Sequence, residues 1–190
     1  CCQICYNKLE NKYLIKKSIK MNKLRKIPIT LVSTERELTI DATDGTKTLN
    51  IHESVMQLVT SGIYSNIEIS RASSPTVKMS VQIYEATAQA TYSEIFHSFD
   101  VNKNNLCLTQ HQIGNFVLKY TQLLNREVDG HKTTFLFLFK AREVLKKSTK
   151  RRLLVARVRI GESELPEIEW GTFNDSGKWF GMYSIVVPKL

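Results

Sequence analysis

Residues 133–139 read Thr-Thr-Phe-Leu-Phe-Leu-Phe, and this run limits the possible folds more than any other feature of the sequence. Successive side chains of an extended strand point to opposite faces, so the three phenylalanines would share one face and the two leucines the other. Apolar residues on both faces are typical of a strand that is covered on both sides. The sequence therefore predicts a central strand with a packed layer above it and another below it.

Three further strands are predicted after this run. Residues 153–160 alternate arginine with aliphatic residues, and residues 167–173 and 179–187 are separated by a turn at 174–177. Strands joined by brief turns favour antiparallel pairing. The C-terminal part of the chain is therefore expected to form a four-stranded antiparallel sheet.

Helices are predicted before these strands. Apolar residues at four-residue spacing predict a helix over 81–96, and a weaker pattern predicts one over 48–61. The clearest signal lies at Thr109, which can cap a helix while Gln112 completes a capping box. That helix would end near Asp129-Gly130. Residues 27–41, near the start of the chain, are predicted to be extended rather than helical.

Because helices come first and strands later, the predicted class is α+β, with two or three helices packed on the C-terminal sheet. Residues 27–190 would form this single domain, at 42% apolar and 24% charged residues. Residues 1–26 would form a basic N-terminal arm. Met21 looks like a natural start, so we expect residues 1–20 to be either a non-native extension or the start of a fragment.

Several sequence blocks also resemble a known group of proteins. The blocks are Asp41–Thr46, Val81–Glu85 with Ala90–Tyr92 and Phe96, Leu106–Ile113 with Phe116 and Val117, Phe137–Lys140, and Val186–Leu190. Together they are similar to a family of small uncharacterised proteins from candidate-phylum (Parcubacteria-like) bacteria, over residues 41–190. The resemblance implies one folding unit and no site. That family has a short turn after the Phe-Leu-Phe-Lys strand, whereas a basic stretch is inserted here at 141–152.

The charge of the chain is concentrated in two stretches. Residues 1–26 carry eight Lys or Arg against one Glu, and residues 140–159 carry nine against one Glu. The whole chain has a net charge of +9, so the remainder is net acidic. Segregated positive charge attracts polyanions.

We therefore predict a non-enzymatic binding protein that engages nucleic acid or a nucleoprotein particle through phosphate contacts. The alternative is a structural or assembly component that docks an acidic protein partner. The basic segment 146–152 is expected to be a loop at the tip of a hairpin. The expected nucleic-acid-binding residues are Lys146, Lys147, Lys150, Arg151 and Arg152, together with Lys16, Lys17, Lys20, Lys23, Arg25 and Lys26 of the arm.

The sequence signals for metal sites and for a base-stacking surface are weaker. Residues 100–104 resemble the first half of a calcium-binding loop, but the required twelfth-position Glu is replaced by His111. Cys107 lies four residues before His111, with His97 upstream, and Cys2 and Cys5 form half of a zinc knuckle. Phe135, Phe137 and Phe139 resemble the aromatic residues on which RNA-binding sheets stack bases. The leucines between them favour a position in the hydrophobic core instead. No cofactor or metal is predicted.

Cysteine usage and hydropathy bear on location. Cys1, Cys2, Cys5 and Cys107 do not form a disulfide framework, which favours a reducing compartment. The sequence has no run of 18 or more apolar residues and no secretory signal pattern, so a cytoplasmic protein without a membrane partner is expected.

Overall fold

The structure is a computed structural model. It describes residues 25–32, 37–49, 57–58, 67–68, 73–86, 88–128, 131–145, 148–162, 164–178 and 183–190. The strands are β1 (Thr30–Leu31), β2 (Leu38–Ile40), β3 (Gln57–Leu58), β4 (Ile67–Glu68), β5 (Met79–Ala86), β6 (Cys107–Leu108), β7 (Glu127–Val128), β8 (His131–Lys132), β9 (Thr134–Leu145), β10 (Ser148–Ile160), β11 (Pro166–Thr172) and β12 (Tyr183–Pro188). The helices are α1 (Tyr92–His97), a 3-10 helix (Lys103–Leu106), α2 (Gln110–Lys119) and α3 (Thr121–Leu124).

Within these residues the chain is mostly sheet. Ten strands form one mixed sheet in the order β1-β5-β12-β9-β10-β11-β3, with β2 on the edge of β5 and both β4 and β6 on the edge of β9. Strands β7 and β8 pair separately. The prediction of two or three helices on a C-terminal four-stranded antiparallel sheet is therefore wrong. The N-terminal half also contributes strands, and three of the pairings between described strands, β12 with β9, β6 with β9 and β11 with β3, are parallel.

The helix predicted over 81–96 is wrong in its first part, where residues 81–86 belong to strand β5. Val81 and Ile83 are buried on one side of this strand and Ala86 is also buried, while only Tyr92–His97 is helical. Apolar pairs every four residues satisfy a strand with two covered faces as well as a helix, which explains the error. The helix predicted over 48–61 is wrong at Gln57–Leu58, which form β3, and residues 50–56 and 59–61 lie outside the described residues.

Strand β9 is covered on both faces, as the sequence predicts. Phe135, Phe137 and Phe139 belong to one core cluster, which also takes Phe116 from helix α2. Leu136 and Leu138 belong to a second cluster, which includes buried residues of helix α1. Phe116 packs edge-on against Phe137 with their ring centroids 5.4 Å apart. The two helices therefore cover opposite faces of the sheet.

The two edges of β9 are paired differently. One edge pairs with β10 along its length, from residues 135 to 145. The other edge is shared in succession by β12 at residues 134–137, β6 at residues 138–139 and β4 at residues 142–143. Strand β9 is therefore the axis on which distant parts of the chain assemble.

Helix α2 begins with the capping box that the sequence predicts. Thr109 Oγ1 accepts a hydrogen bond from the backbone N–H of Gln112 (3.2 Å), and Gln112 Oε1 accepts one from the N–H of Thr109 (2.9 Å). The helix ends at Lys119, earlier than predicted, and the short helix α3 follows. Among the described residues, no helix is both long enough and apolar enough to cross a membrane.

Replacing Thr109 with Ala should lower the free energy of unfolding by about 0.5–2 kcal/mol, because a helix N–H loses its acceptor. The measurement is the midpoint of chemical denaturation. Thr109→Ser is the matched control, since serine keeps the hydroxyl oxygen, and it should retain most of the stability. An unchanged midpoint in Thr109→Ala would show that the cap does not support the helix.

Candidate nucleic-acid interface

The basic segment predicted as a loop is mostly strand. Strand β9 runs to Leu145 and β10 begins at Ser148, and these two residues are cross-strand partners. Only Lys146 and Lys147 lie between the strands, outside the described residues. A two-residue connection lets pairing continue through the basic residues that follow it. We call residues 140–152 of this hairpin the basic ribbon.

The register of the basic ribbon sets which charges oppose each other. Lys150 lies opposite Glu143, and Arg151 lies opposite Arg142. On the other edge of β9, Glu68 of β4 is the partner of Arg142. The ribbon carries seven Lys or Arg against one Glu, for a net charge of +6. Cations therefore outnumber the acidic cross-strand partners.

Two basic residues of the ribbon were missed from the sequence. Lys140 is exposed and lies opposite Leu153, and Arg142 is held within the strand. Arg152, which was predicted as a site residue, is exposed and lies opposite Ala141. The alternation that continues from the Phe-Leu run through Lys140 and Arg142 was the available signal. It identifies residues 140–145 as strand of the same hairpin.

The end of the arm is held against the domain. Arg25 Nη2 donates a hydrogen bond to the backbone oxygen of Gln89 (3.4 Å), and Lys26 forms an ion pair with Asp100. Ile27 is buried and joins the second core cluster. The hydrogen bond from Lys26 lowers the pKa of Asp100 from its ordinary value. Part of the positive charge predicted for the arm is therefore matched by the body.

The other predicted residues of the arm are Lys16, Lys17, Lys20 and Lys23, and these four lie outside the described residues.

The remaining arginines of the second basic stretch are ion-paired. Arg157 contacts Glu169, its direct cross-strand partner on β11. Arg159 Nε lies 3.0 Å from Glu167 Oε2, and its Nη2 lies 3.9 Å from Glu169 Oε1. The carboxylates offset these two cations. The excess positive charge of residues 140–159 is therefore concentrated in the basic ribbon.

The anchor of the arm and the tip of the ribbon lie at different levels of the sheet. Thr30 pairs with Glu85, Glu85 pairs with Ser184, and Ser184 pairs with Phe135, so these four residues are level. Ten residues separate Phe135 from Leu145 along β9. At the ordinary rise of a strand this is roughly 30 Å. A ligand that reaches both places must be extended.

The residues suggestive of calcium binding have other roles. Asp100 is paired with Lys26, and Asn102 Oδ1 accepts a hydrogen bond from the N–H of Asn104 (3.0 Å) at the start of the 3-10 helix. Leu108, at the ninth position of such a loop, is buried. Asp100 and Asn102 therefore take part in the turn that leads to the Thr109 cap.

Each potential zinc ligand contacts a different neighbour. Cys107 Sγ lies 3.2 Å from the backbone oxygen of Lys103, to which it donates a hydrogen bond. His97 Nδ1 lies 3.2 Å from the Lys103 ammonium. His111 Nδ1 lies 3.2 Å from Asp44 Oδ1 without hydrogen-bond geometry. No group of three possible ligands is close enough to hold a metal within the part of the chain that the structure describes, and Cys2 and Cys5 lie outside that part.

A scan against models of protein families, a search of curated proteins and a search of solved structures each found no match. The resemblance of residues 41–190 to the candidate-phylum family therefore stays a prediction, and the site is interpreted from its own residues.

Cys107 should be a poor nucleophile, because burial raises the pKa of its thiol to about 11 against a weaker opposing effect of Lys140. At pH 8 roughly 0.1% of the thiol would be ionised, compared with about a quarter of an ordinary cysteine. In a variant with Cys1, Cys2 and Cys5 replaced by Ser, the rate of alkylation by iodoacetamide should keep rising up to about pH 11.

The control for this alkylation experiment is the same variant unfolded in denaturant, whose rate should level off near pH 9. A folded-state rate that levels off at the same pH would contradict the assignment of Cys107 as a partly buried, poorly reactive thiol.

Proposed function

We propose that this protein binds nucleic acid, free or within a nucleoprotein particle, through phosphate contacts made by the basic ribbon, with the arm as a second contact. The observation that supports this most directly is the net +6 charge on residues 140–152. The neighbouring Arg157 and Arg159 are balanced by glutamates, so the ribbon stands out against a body that is otherwise net acidic. The protein acts as a binding protein and not as an enzyme.

The electrostatic argument rests on counterion release. Nucleic acids hold a condensed layer of cations, and each Lys or Arg that neutralises a phosphate releases part of that layer. Binding of this kind is strong at low salt and carries little sequence specificity. In the basic ribbon, Arg151 and Arg142 occupy opposite register positions on neighbouring strands, so two basic residues are level with each other.

The shape of the basic ribbon favours one way of contacting a nucleic acid. The major groove of B-form DNA is about 12 Å wide and admits a two-stranded β-ribbon, whereas the corresponding groove of A-form RNA is too narrow for side chains to read. Strand β4 adds a third strand beside residues 142–143, and among the described residues no further strand pairs with the hairpin nearer its tip. The tip can therefore enter a groove while the wider base lies along the phosphate backbone.

Replacing the cations of the ribbon should weaken binding to all nucleic-acid sequences by similar factors. Each lost phosphate contact should reduce the slope of log K against log salt by about 0.7–0.9. We expect the variant to fold, and a denaturation midpoint close to that of wild type would check this. The full variant, measured by gel shift or anisotropy over a salt series, replaces five residues with Ser: Lys146, Lys147, Lys150, Arg151 and Arg152.

A matched pair of triple variants separates the ribbon from overall charge. One replaces Lys146, Lys147 and Lys150 with Ser, and the other replaces three exposed lysines of the body, Lys47, Lys78 and Lys178. Both lose the same charge, so only the first should lose about 2–3 units of salt slope. Equal losses would assign binding to net charge alone. No binding of wild type to DNA or RNA at low salt would overturn the proposal and favour an assembly component that docks an acidic protein.

A further inference from the structure

The outer edge of strand β2, on the side away from β5, is a place where another strand could pair. Thr39 is the middle residue of β2 and pairs with Ser80 of β5 on the inner side. Within the part of the chain that the structure describes, no strand pairs with the other side of β2. Unpaired N–H and C=O groups along a sheet edge are a template for pairing with a second chain.

Tyr120 occupies the backbone groups of Thr39 at this edge. The N–H of Thr39 donates a hydrogen bond to the Tyr120 hydroxyl (2.9 Å), and the same hydroxyl donates one to the Thr39 carbonyl oxygen (3.0 Å). A phenolic hydroxyl is both donor and acceptor. One oxygen atom therefore makes the two hydrogen bonds that a residue of a neighbouring antiparallel strand would make.

Lys119 adds a positive charge at the same place. Its ammonium lies 3.1 Å from the Thr39 carbonyl oxygen, 3.3 Å from Thr39 Oγ1 and 3.1 Å from Asp41 Oδ2. A lysine at a sheet edge discourages strand addition, because an incoming strand would have to displace or desolvate the charge. The two neighbouring residues thus act on one backbone position.

The Tyr120 side chain is held in place by packing that reaches the centre of the sheet. The ring of Tyr120 lies 4.9 Å from the ring of Phe116, which in turn packs against Phe137 of β9. The N–H of Tyr120 donates a hydrogen bond to the Phe116 carbonyl (2.9 Å). The hydroxyl is therefore positioned by the end of helix α2 and by a row of aromatic rings, independently of any ligand.

We propose that Tyr120 and Lys119 form an edge guard, which prevents a second copy of this chain from adding to the sheet through β2. The occupant that the guard excludes is another β2, because an antiparallel pairing about Thr39 is self-complementary and needs no other surface. Strand β1, on the same edge of β5, has an exposed Leu31 but comprises only two residues. Its shortness limits pairing there.

Tyr120→Phe tests the proposal, because it keeps the ring and removes the hydroxyl. Sedimentation equilibrium of the full chain should show the variant shifting from monomer toward dimer at concentrations where wild type does not shift. At concentrations where the variant is monomeric, the Thr39 amide should exchange hydrogen about tenfold faster than in wild type. Tyr84→Phe is the matched control, since the Tyr84 hydroxyl donates to the Gln82 side chain (3.3 Å) rather than to an edge backbone group.

Two further variants locate the effect. Lys119→Met keeps the hydroxyl and should give a smaller shift in the same direction. Adding Thr39→Pro to Tyr120→Phe removes the edge N–H and should restore the monomer. Three results would each overturn the edge guard: a Tyr120→Phe protein with wild-type mass and wild-type Thr39 exchange, equal association in Tyr84→Phe, or association that persists in the double variant.

Discussion

Burial of strand β9 on both of its faces is the constraint on which the rest of the structure depends. Its phenylalanine face receives Phe116 of helix α2, and its leucine face lies in the cluster that contains helix α1. Residues 140–152 belong to this strand and to its partner β10, so the basic ribbon adjoins the part of β9 that is buried on both faces. The edge guard depends on the same strand through the contact between Phe116 and Phe137.

Features with a local cause could be predicted from the sequence. The alternation at residues 133–139 fixes a doubly covered strand, because the period of two is set by the backbone itself. The cap at Thr109 was predictable because its partner, Gln112, lies only three residues away. The concentration of basic residues at 140–152 was also visible, although it was interpreted as a loop. The signal for a strand was the alternation of side chains, which continues from the Phe-Leu run through Lys140 and Arg142.

Features that depend on distant pairings could not be predicted. The apolar residues around Val81 and Ile83 suit a helix or a strand, and only the neighbours β2 and β12 decide between them. The balance of Arg157 by Glu169 depends on a register that charge counts do not contain. The hydrogen bonds between the Tyr120 hydroxyl and the backbone of Thr39 join residues 81 positions apart. In each case tertiary contacts select among local structures of similar propensity.

The position of β12 constrains the order in which the fold can form during synthesis. This strand comprises residues 183–188, yet it lies between β5 and β9 in the middle of the sheet. A ribosome releases the N-terminal strands first. Until β12 emerges, the strands around β5 and the hairpin of β9 and β10 lack the element that joins them. Unpaired strand edges are a template for pairing with other chains, so this part of the sheet is open to mispairing until β12 is released.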